Sequence, residues 1–330
     1  SAIPSQMLSA AFWGALAANV GMSRGAPGRD PPPEAENATR RLGAGEAGLK
    51  APAPVSPVFP EPMLRLPLPA PGATMASMSD DPLSGLHPLA AAWFRDRHGT
   101  PTAVQAGVWP LLAAGRDALA VAPTGSGKTL AAFLDGISRL ASGEYPADRL
   151  SILYLSPLKA LAEDVRVNLL EPLGGVRSRF DAAGLAFPPL RASVRTGDTA
   201  ASDRRRDFSK PPSILATTPE SLSILLNSVS GTKLLAEVRL VIVDEVHALV
   251  GTKRGAFLAA ALGRLASLAG EFRRVALSAT VSPVEEAVRF AAGFRLARQP
   301  DGTAAYEERR MEVVAPPSEK RIEFAVDWPE

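Results

Sequence analysis

Ala118-Leu119-Ala120-Val121-Ala122-Pro123-Thr124-Gly125-Ser126-Gly127-Lys128-Thr129-Leu130 is the stretch that decides the fold. Its five apolar residues, Ala118 to Ala122, read as a buried strand, and the apolar run Leu130 to Leu134 reads as a helix. Between them lies a tight turn. Gly125 and Gly127 let the backbone bend and aim its N–H groups at an anion. The turn opens a helix N-terminus, where unpaired N–H groups and the dipole favour phosphate. Thr124, Gly125, Ser126, Gly127, Lys128 and Thr129 are therefore the candidate nucleotide-phosphate residues. Lys128 is placed to reach the β- and γ-phosphates, and the Thr129 hydroxyl to hold Mg²⁺. The first position of the strict pattern calls for Gly, and Ala122 stands there. A dinucleotide fingerprint does not fit, because its third glycine would fall on Leu130.

Outward from this stretch the chain alternates apolar strand and helix. The spacing predicts strands at Leu150–Leu155, Ala192–Arg195, Ser213–Ala216, Leu240–Val243 and Arg274–Leu277. Helices are predicted over His87–His98, from Gln105 to about Ala114, after the segment Ser156–Leu161 to about Leu170, opened by Thr217–Glu220 and running to Asn227, over Arg254–Leu268 and over Val284–Phe290. This is an α/β fold with a mostly parallel sheet and helices on both faces. Polar clusters repeatedly follow the strands, and in an open parallel sheet the carboxyl ends of the strands share one ligand-binding edge.

Each cluster suits a chemistry. Asp244-Glu245 follows Val241-Ile242-Val243, and adjacent carboxylates at a buried strand end are costly unless paired. With a phosphate loop upstream, Asp244 would hold Mg²⁺ and Glu245 would orient the attacking water. His247 is either structural or a link from this site to Ser278-Ala279-Thr280 or to Gln105. Ser278 and Thr280 either cap the next helix or relay the state of the γ-phosphate. Gln105 is either solvated or pairs its amide with an adenine edge. Pro157–Lys159, Thr196–Asp198 and Thr217–Glu220 offer N–H groups, hydroxyls and a lysine to a sugar–phosphate backbone read without sequence preference, or else cap helices. Lys253–Arg254 and Arg204–Arg206 are solvated faces or phosphate contacts.

Composition narrows the classes. The 330 residues carry 36 Lys and Arg against 34 Asp and Glu, so any basic surface is local. There is no cysteine, which excludes thiolate zinc sites and iron–sulfur clusters within this chain and fits a reducing, cytoplasmic location. No apolar run approaches the roughly 20 residues of a membrane helix. Residues 1–80 hold 13 of the 31 prolines and are expected to be a disordered, Pro/Ala-rich leader. The apolar patch Met7–Val20 lacks the basic flank of a signal peptide.

Taken in order, Ala122–Thr129, Asp244–His247 and Ser278–Thr280 resemble motifs I, II and III of superfamily 2 helicases, in the DExH form. Ser156-Pro157-Leu158-Lys159-Ala160-Leu161, Arg195–Thr199, Thr217-Thr218-Pro219-Glu220-Ser221-Leu222 and Gly251-Thr252-Lys253-Arg254-Gly255 resemble the Lhr (large helicase-related) family. The resemblance spans about residues 85 to 295. It implies a RecA-like P-loop NTPase domain at 81–295 that uses ATP and Mg²⁺ to translocate on single-stranded DNA or RNA. It further implies unwinding at duplex junctions, 3′ to 5′, in bacterial genome maintenance or repair. It puts Gln105 near adenine and backbone contacts at Pro157, Lys159, Thr196, Gly197, Thr217, Thr218 and Pro219. An RNA-remodelling ATPase of the same superfamily is a second reading, and a fragment that binds nucleic acid or a partner without productive hydrolysis is a third. Only 50 residues follow Thr280. Residues 296–330 are thus expected to be a linker towards a second RecA-like domain that this sequence does not contain, and the chain alone to hydrolyse ATP slowly.

Overall fold

Short apolar strands build the centre of the sheet. The computed structural model describes residues 81–298 and 303–317; the expected leader at 1–80 lies outside the described residues. Strands β1 (Ala118–Val121), β2 (Ile152–Leu155), β3 (Ala192–Arg195), β4 (Ile214–Thr217), β5 (Leu240–Val243) and β6 (Arg273–Ser278) all run parallel. Their order across the sheet is β3-β4-β2-β5-β6-β1, with the short strand β9 (Glu312–Val314) added beside β1.

The central strands β2, β4 and β5 are apolar on both faces because both faces are covered. Ala120, Ile152, Tyr154, Ile214, Ile242 and Leu277 pack into one core. Helices α1 (Pro88–His98), α2 (Ala103–Ala113), α3 (Lys128–Ala141) and α4 (Lys159–Ala182) cover that face. Leu119, Leu153, Leu215, Val241, Val243 and Ala276 alternate onto the other face. There they meet α6 (Pro219–Leu226), α7 (Val229–Leu235), α8 (Lys253–Ala269) and α9 (Val284–Ala292).

Several elements depart from the sequence expectation, which names neither the helix at Val229–Leu235 nor the strands at Phe294–Arg298 and Ala304–Glu308. Helix α4 does not stop near Leu170 but continues through Pro172 to Ala182. Leu169, Leu173, Val176 and Phe180 are buried along it at helical spacing, and that apolar stripe outweighs the proline. Gly175 lets α4 approach α1: a Cβ there would lie 1.8 Å from Trp93 Nε1. The arginine triplet lies in a helix, α5 (Ala201–Ser209), whose single buried side chain is Asp207; so polar a segment carries no apolar period. The sheet also extends past the expected boundary at residue 295. After the hairpin β7 (Phe294–Arg298) and β8 (Ala304–Glu308), β9 pairs with β1. Glu312, at its start, bonds Arg116 at 2.7 Å. Three residues with a charge among them are too few to show a strand period.

Candidate nucleotide site and nucleic-acid track

The carboxyl ends of β1, β6 and β5 are neighbours. Val121 stands beside Ser278 in the register, and Ala276 beside Val243. The phosphate loop, Ser278–Thr280 and Asp244–His247 therefore emerge side by side on one rim. Gly127 takes φ 84° as the residue capping α3, and Gly125 takes φ 79°. Among the described residues the one non-glycine with positive φ is Glu245. Ala122 thus sits in ordinary backbone, which explains why glycine is not required at the first loop position.

Lys128 is 8% exposed and folds back on the loop. Its ammonium donates to the carbonyls of Ala122 and Pro123, the latter at 2.8 Å. Burial lowers its pKa, against the pull of Asp244 and Glu245. Asp244, also 8% exposed, is raised by burial, while Tyr154, the Glu245 N–H, Lys128 and His247 hold it down. Lys128 and Asp244 are thus close enough to feel each other's charge, and both lack solvent. The Ser126 hydroxyl is buried without a hydrogen-bond partner among the described residues. A loop with an orphaned hydroxyl, two left-handed glycines and a desolvated ammonium is complementary to phosphate oxygens.

Gln105 is 3% exposed. Its Oε1 accepts from the Thr102 N–H at 3.0 Å, and its Nε2 donates to the Gly127 carbonyl at 3.3 Å. The Thr102 hydroxyl donates to the Ser126 carbonyl at 2.8 Å. One capping box at the start of α2 thereby buttresses the phosphate loop. Thr129 is half-buried in the first turn of α3, and Thr124 is exposed.

Glu245 adopts φ 50°, ψ 46°, a sparsely populated conformation that costs about 1–3 kcal/mol and persists where surrounding contacts hold it. The Glu245 N–H donates to Asp244 Oδ1 at 2.8 Å. His247 Nδ1 lies 3.2 Å from Glu245 Oε2 and 3.3 Å from the Ser278 hydroxyl, which donates to the Thr280 carbonyl at 2.7 Å. Glu245, His247, Ser278 and Thr280 form one polar chain across two strand ends. Of the two links open in the sequence, His247 makes the one to Ser278.

Tyr154 is a site residue that the sequence does not reveal. Its hydroxyl, from the middle of fully buried β2, donates to Asp244 Oδ2 at 2.5 Å, and its ring stacks on Phe133 at 5.3 Å. In sequence it passes for another apolar strand residue.

The candidate strand contacts lie at the ends of β2, β3 and β4. Thr217 is fully buried and its hydroxyl donates to the Arg195 carbonyl at 2.6 Å. Thr218 caps α6 by accepting from the Ser221 N–H at 3.3 Å, with Pro219 in the first position of the helix. These hydroxyls are spent on the fold. Thr196 is buried, with its N–H on the Thr199 hydroxyl at 2.8 Å, while Gly197 is exposed. Arg204 bonds the Gly197 and Thr199 carbonyls at 2.6 and 2.9 Å and so shapes this loop. The Pro157 carbonyl accepts from Arg254 at 2.7 Å. Lys159 opens α4, and its side chain lies outside the described residues.

With this rim described, the family pattern of the DEAD/DEAH box helicases matches residues 102–288, more than half of the chain. The chain belongs to the DEAD/DEAH box helicases. This helicase domain is 42% identical over 257 residues to the Lhr helicase/probable uracil glycosylase of Mycolicibacterium smegmatis, covering 77% of the chain and 16% of that protein. It is 46% identical over 206 residues to the ATP-dependent helicase Lhr-Core protein 2 of Thermococcus barophilus, covering 61% of the chain and 24% of the relative. The structure of Mycobacterium smegmatis helicase Lhr bound to ssDNA and AMP-PNP superposes with a TM-score of 0.64 at 44% identity, over 72% of this chain and 28% of that one. The chain thus spans a sixth to a quarter of the length of these curated relatives.

Proposed function

We propose that this helicase domain is the ATP-binding half of an Lhr-type motor that moves on single-stranded DNA, or on the strand of an RNA–DNA hybrid. The observation that carries the reading is the shared rim. A desolvated Lys128, an orphaned Ser126 hydroxyl and a buried Asp244 converge where β1, β6 and β5 end. Lys128 leaves the loop carbonyls and takes the β- and γ-phosphates of ATP. Gln105 keeps one N–H and one lone pair for an adenine edge while holding the loop. Thr129 and Asp244 would hold Mg²⁺, an ion that is bound through one or two protein oxygens with phosphate and water completing its shell. When bound, the metal supplies neutralisation of the phosphate charge. Glu245, fixed by its backbone and by His247, orients the attacking water. His247 carries the occupancy of the site to Ser278 and Thr280.

The strand lies along Pro157, Lys159, Thr196, Gly197 and Thr217–Pro219, contacted through its sugar–phosphate backbone rather than its base edges. The test is co-binding. Fluorescent ATP analogue with Mg²⁺ and a labelled oligo-dT strand are expected to bind the chain together, each raising the affinity for the other. Independent binding of the two contradicts the motor reading.

Tyr154 yields a pH prediction. Its hydroxyl stabilises the Asp244 carboxylate, so Tyr154→Phe raises the Asp244 pKa further. The metal needs the ionised carboxylate. Mg²⁺-nucleotide affinity is therefore expected to fall on acidification in both proteins, starting at a higher pH in the variant. A titration over the mildly acidic range reads this, and superimposed profiles refute it.

A further inference from the structure

Arg254 is the second residue of α8, and a cation at a helix N-terminus opposes the helix dipole. A residue that breaks a local rule needs a compensating role. Its guanidinium forks onto Glu220, with Nε 2.6 Å from Oε1 and Nη2 3.1 Å from Oε2, while the same Nη2 donates to the Pro157 carbonyl at 2.7 Å. Glu220 lies in the first turn of α6, directly after Thr217–Pro219, and the bond to Arg254 lowers its pKa. One side chain therefore ties together the segments that follow β2, β4 and β5, which are neighbours in the sheet. The β5 segment also contains Asp244–His247.

We infer that Arg254 is a positioning residue that sets the nucleic-acid track: it holds the Pro157 loop and the Thr218–Glu220 helix start at fixed spacing, anchored on the helix that follows the Asp244–His247 segment. The inference rests on the strand path proposed above. The pair is about half exposed, so it adds little to stability. Its value is geometric: without it, two loops that present backbone groups to successive phosphates are free to shift. A lysine does not replace it, because its ammonium has three donors but no planar fork to bond both Glu220 oxygens in parallel while reaching the Pro157 carbonyl.

The experiment measures binding of a labelled oligo-dT strand to the wild-type chain and to Arg254→Ala, Arg254→Lys, Glu220→Ala and the double alanine variant, at several salt concentrations. Each single variant is expected to lose about tenfold in strand affinity, the worth of one charge-assisted contact. The double variant is expected to lose no more than either alone. Salt dependence stays unchanged, and melting temperatures stay close to wild type. If Arg254 instead touched phosphate directly, Arg254→Ala would reduce the salt slope by about one, Arg254→Lys would retain binding, and Glu220→Ala would bind more tightly; that pattern overturns the clamp. So does wild-type affinity in both Arg254→Ala and Glu220→Ala. A wild-type chain that binds ATP analogue but no strand overturns the proposed track and the clamp with it.

Discussion

Lys128→Ala is expected to lower the affinity for Mg²⁺-ATP by about a hundredfold or more, the cost of removing one partner of a desolvated charge pair. A fluorescent-nucleotide titration measures it. The variant should fold: burial lowers the Lys128 pKa, so at neutral pH the charged amine is held in the folded state at a cost. The sign follows from linkage. The unfolded chain binds this proton more tightly than the folded one, a cost that removal relieves and that offsets the lost bonds to the Ala122 and Pro123 carbonyls and the lost pull on Asp244, so the melting temperature is expected to change by only a few degrees. Loss of nucleotide binding together with a preserved melting temperature separates a site residue from a structural one. Unchanged affinity would mean that the phosphate loop does not hold the nucleotide.

The second large effect is expected from Gly127→Ala. Gly127 combines φ 84° with a position where a Cβ would lie 2.3 Å from Gln105 Nε2. The conformation alone costs a non-glycine residue about 1–3 kcal/mol. The side-chain clash adds a displacement of Gln105, whose amide holds the loop. Gly143 is a matched control, with φ 78° and nothing within 4 Å of a Cβ. Gly143→Ala should lower the melting temperature by a few degrees and leave nucleotide affinity intact, while Gly127→Ala should lower both, the affinity by about tenfold or more. Equal nucleotide affinity in the two variants would show that Gln105 does not position the loop.

The sequence made the sheet legible because its central strands are buried on both faces and so read as unbroken apolar runs, each ended by a polar cluster. Lys128, Asp244 and their neighbours follow from the same rule, since the carboxyl ends of parallel strands share an edge. What escaped has physical reasons. Tyr154 is hidden inside an apolar run, where only the fold shows that its hydroxyl reaches Asp244 on the next strand. Arg254 reads as a surface cation because its partners, Pro157 and Glu220, are distant in sequence. Helix α5 and strand β9 carry too little apolar periodicity, the one because a single side chain is buried, the other because it is three residues long. The Thr217 and Thr218 hydroxyls look available in sequence, yet the fold uses both.

One bound triphosphate is expected to be shared by Lys128 and Asp244. Crystals of the chain grown with AMP-PNP and Mn²⁺, measured at a wavelength where manganese scatters anomalously, test it directly. The expected result is an anomalous peak between the Thr129 hydroxyl and Asp244, with the Lys128 ammonium swung from the Ala122 and Pro123 carbonyls onto the phosphates. A nucleotide bound away from the loop, or a manganese peak beyond the reach of Asp244, would contradict it.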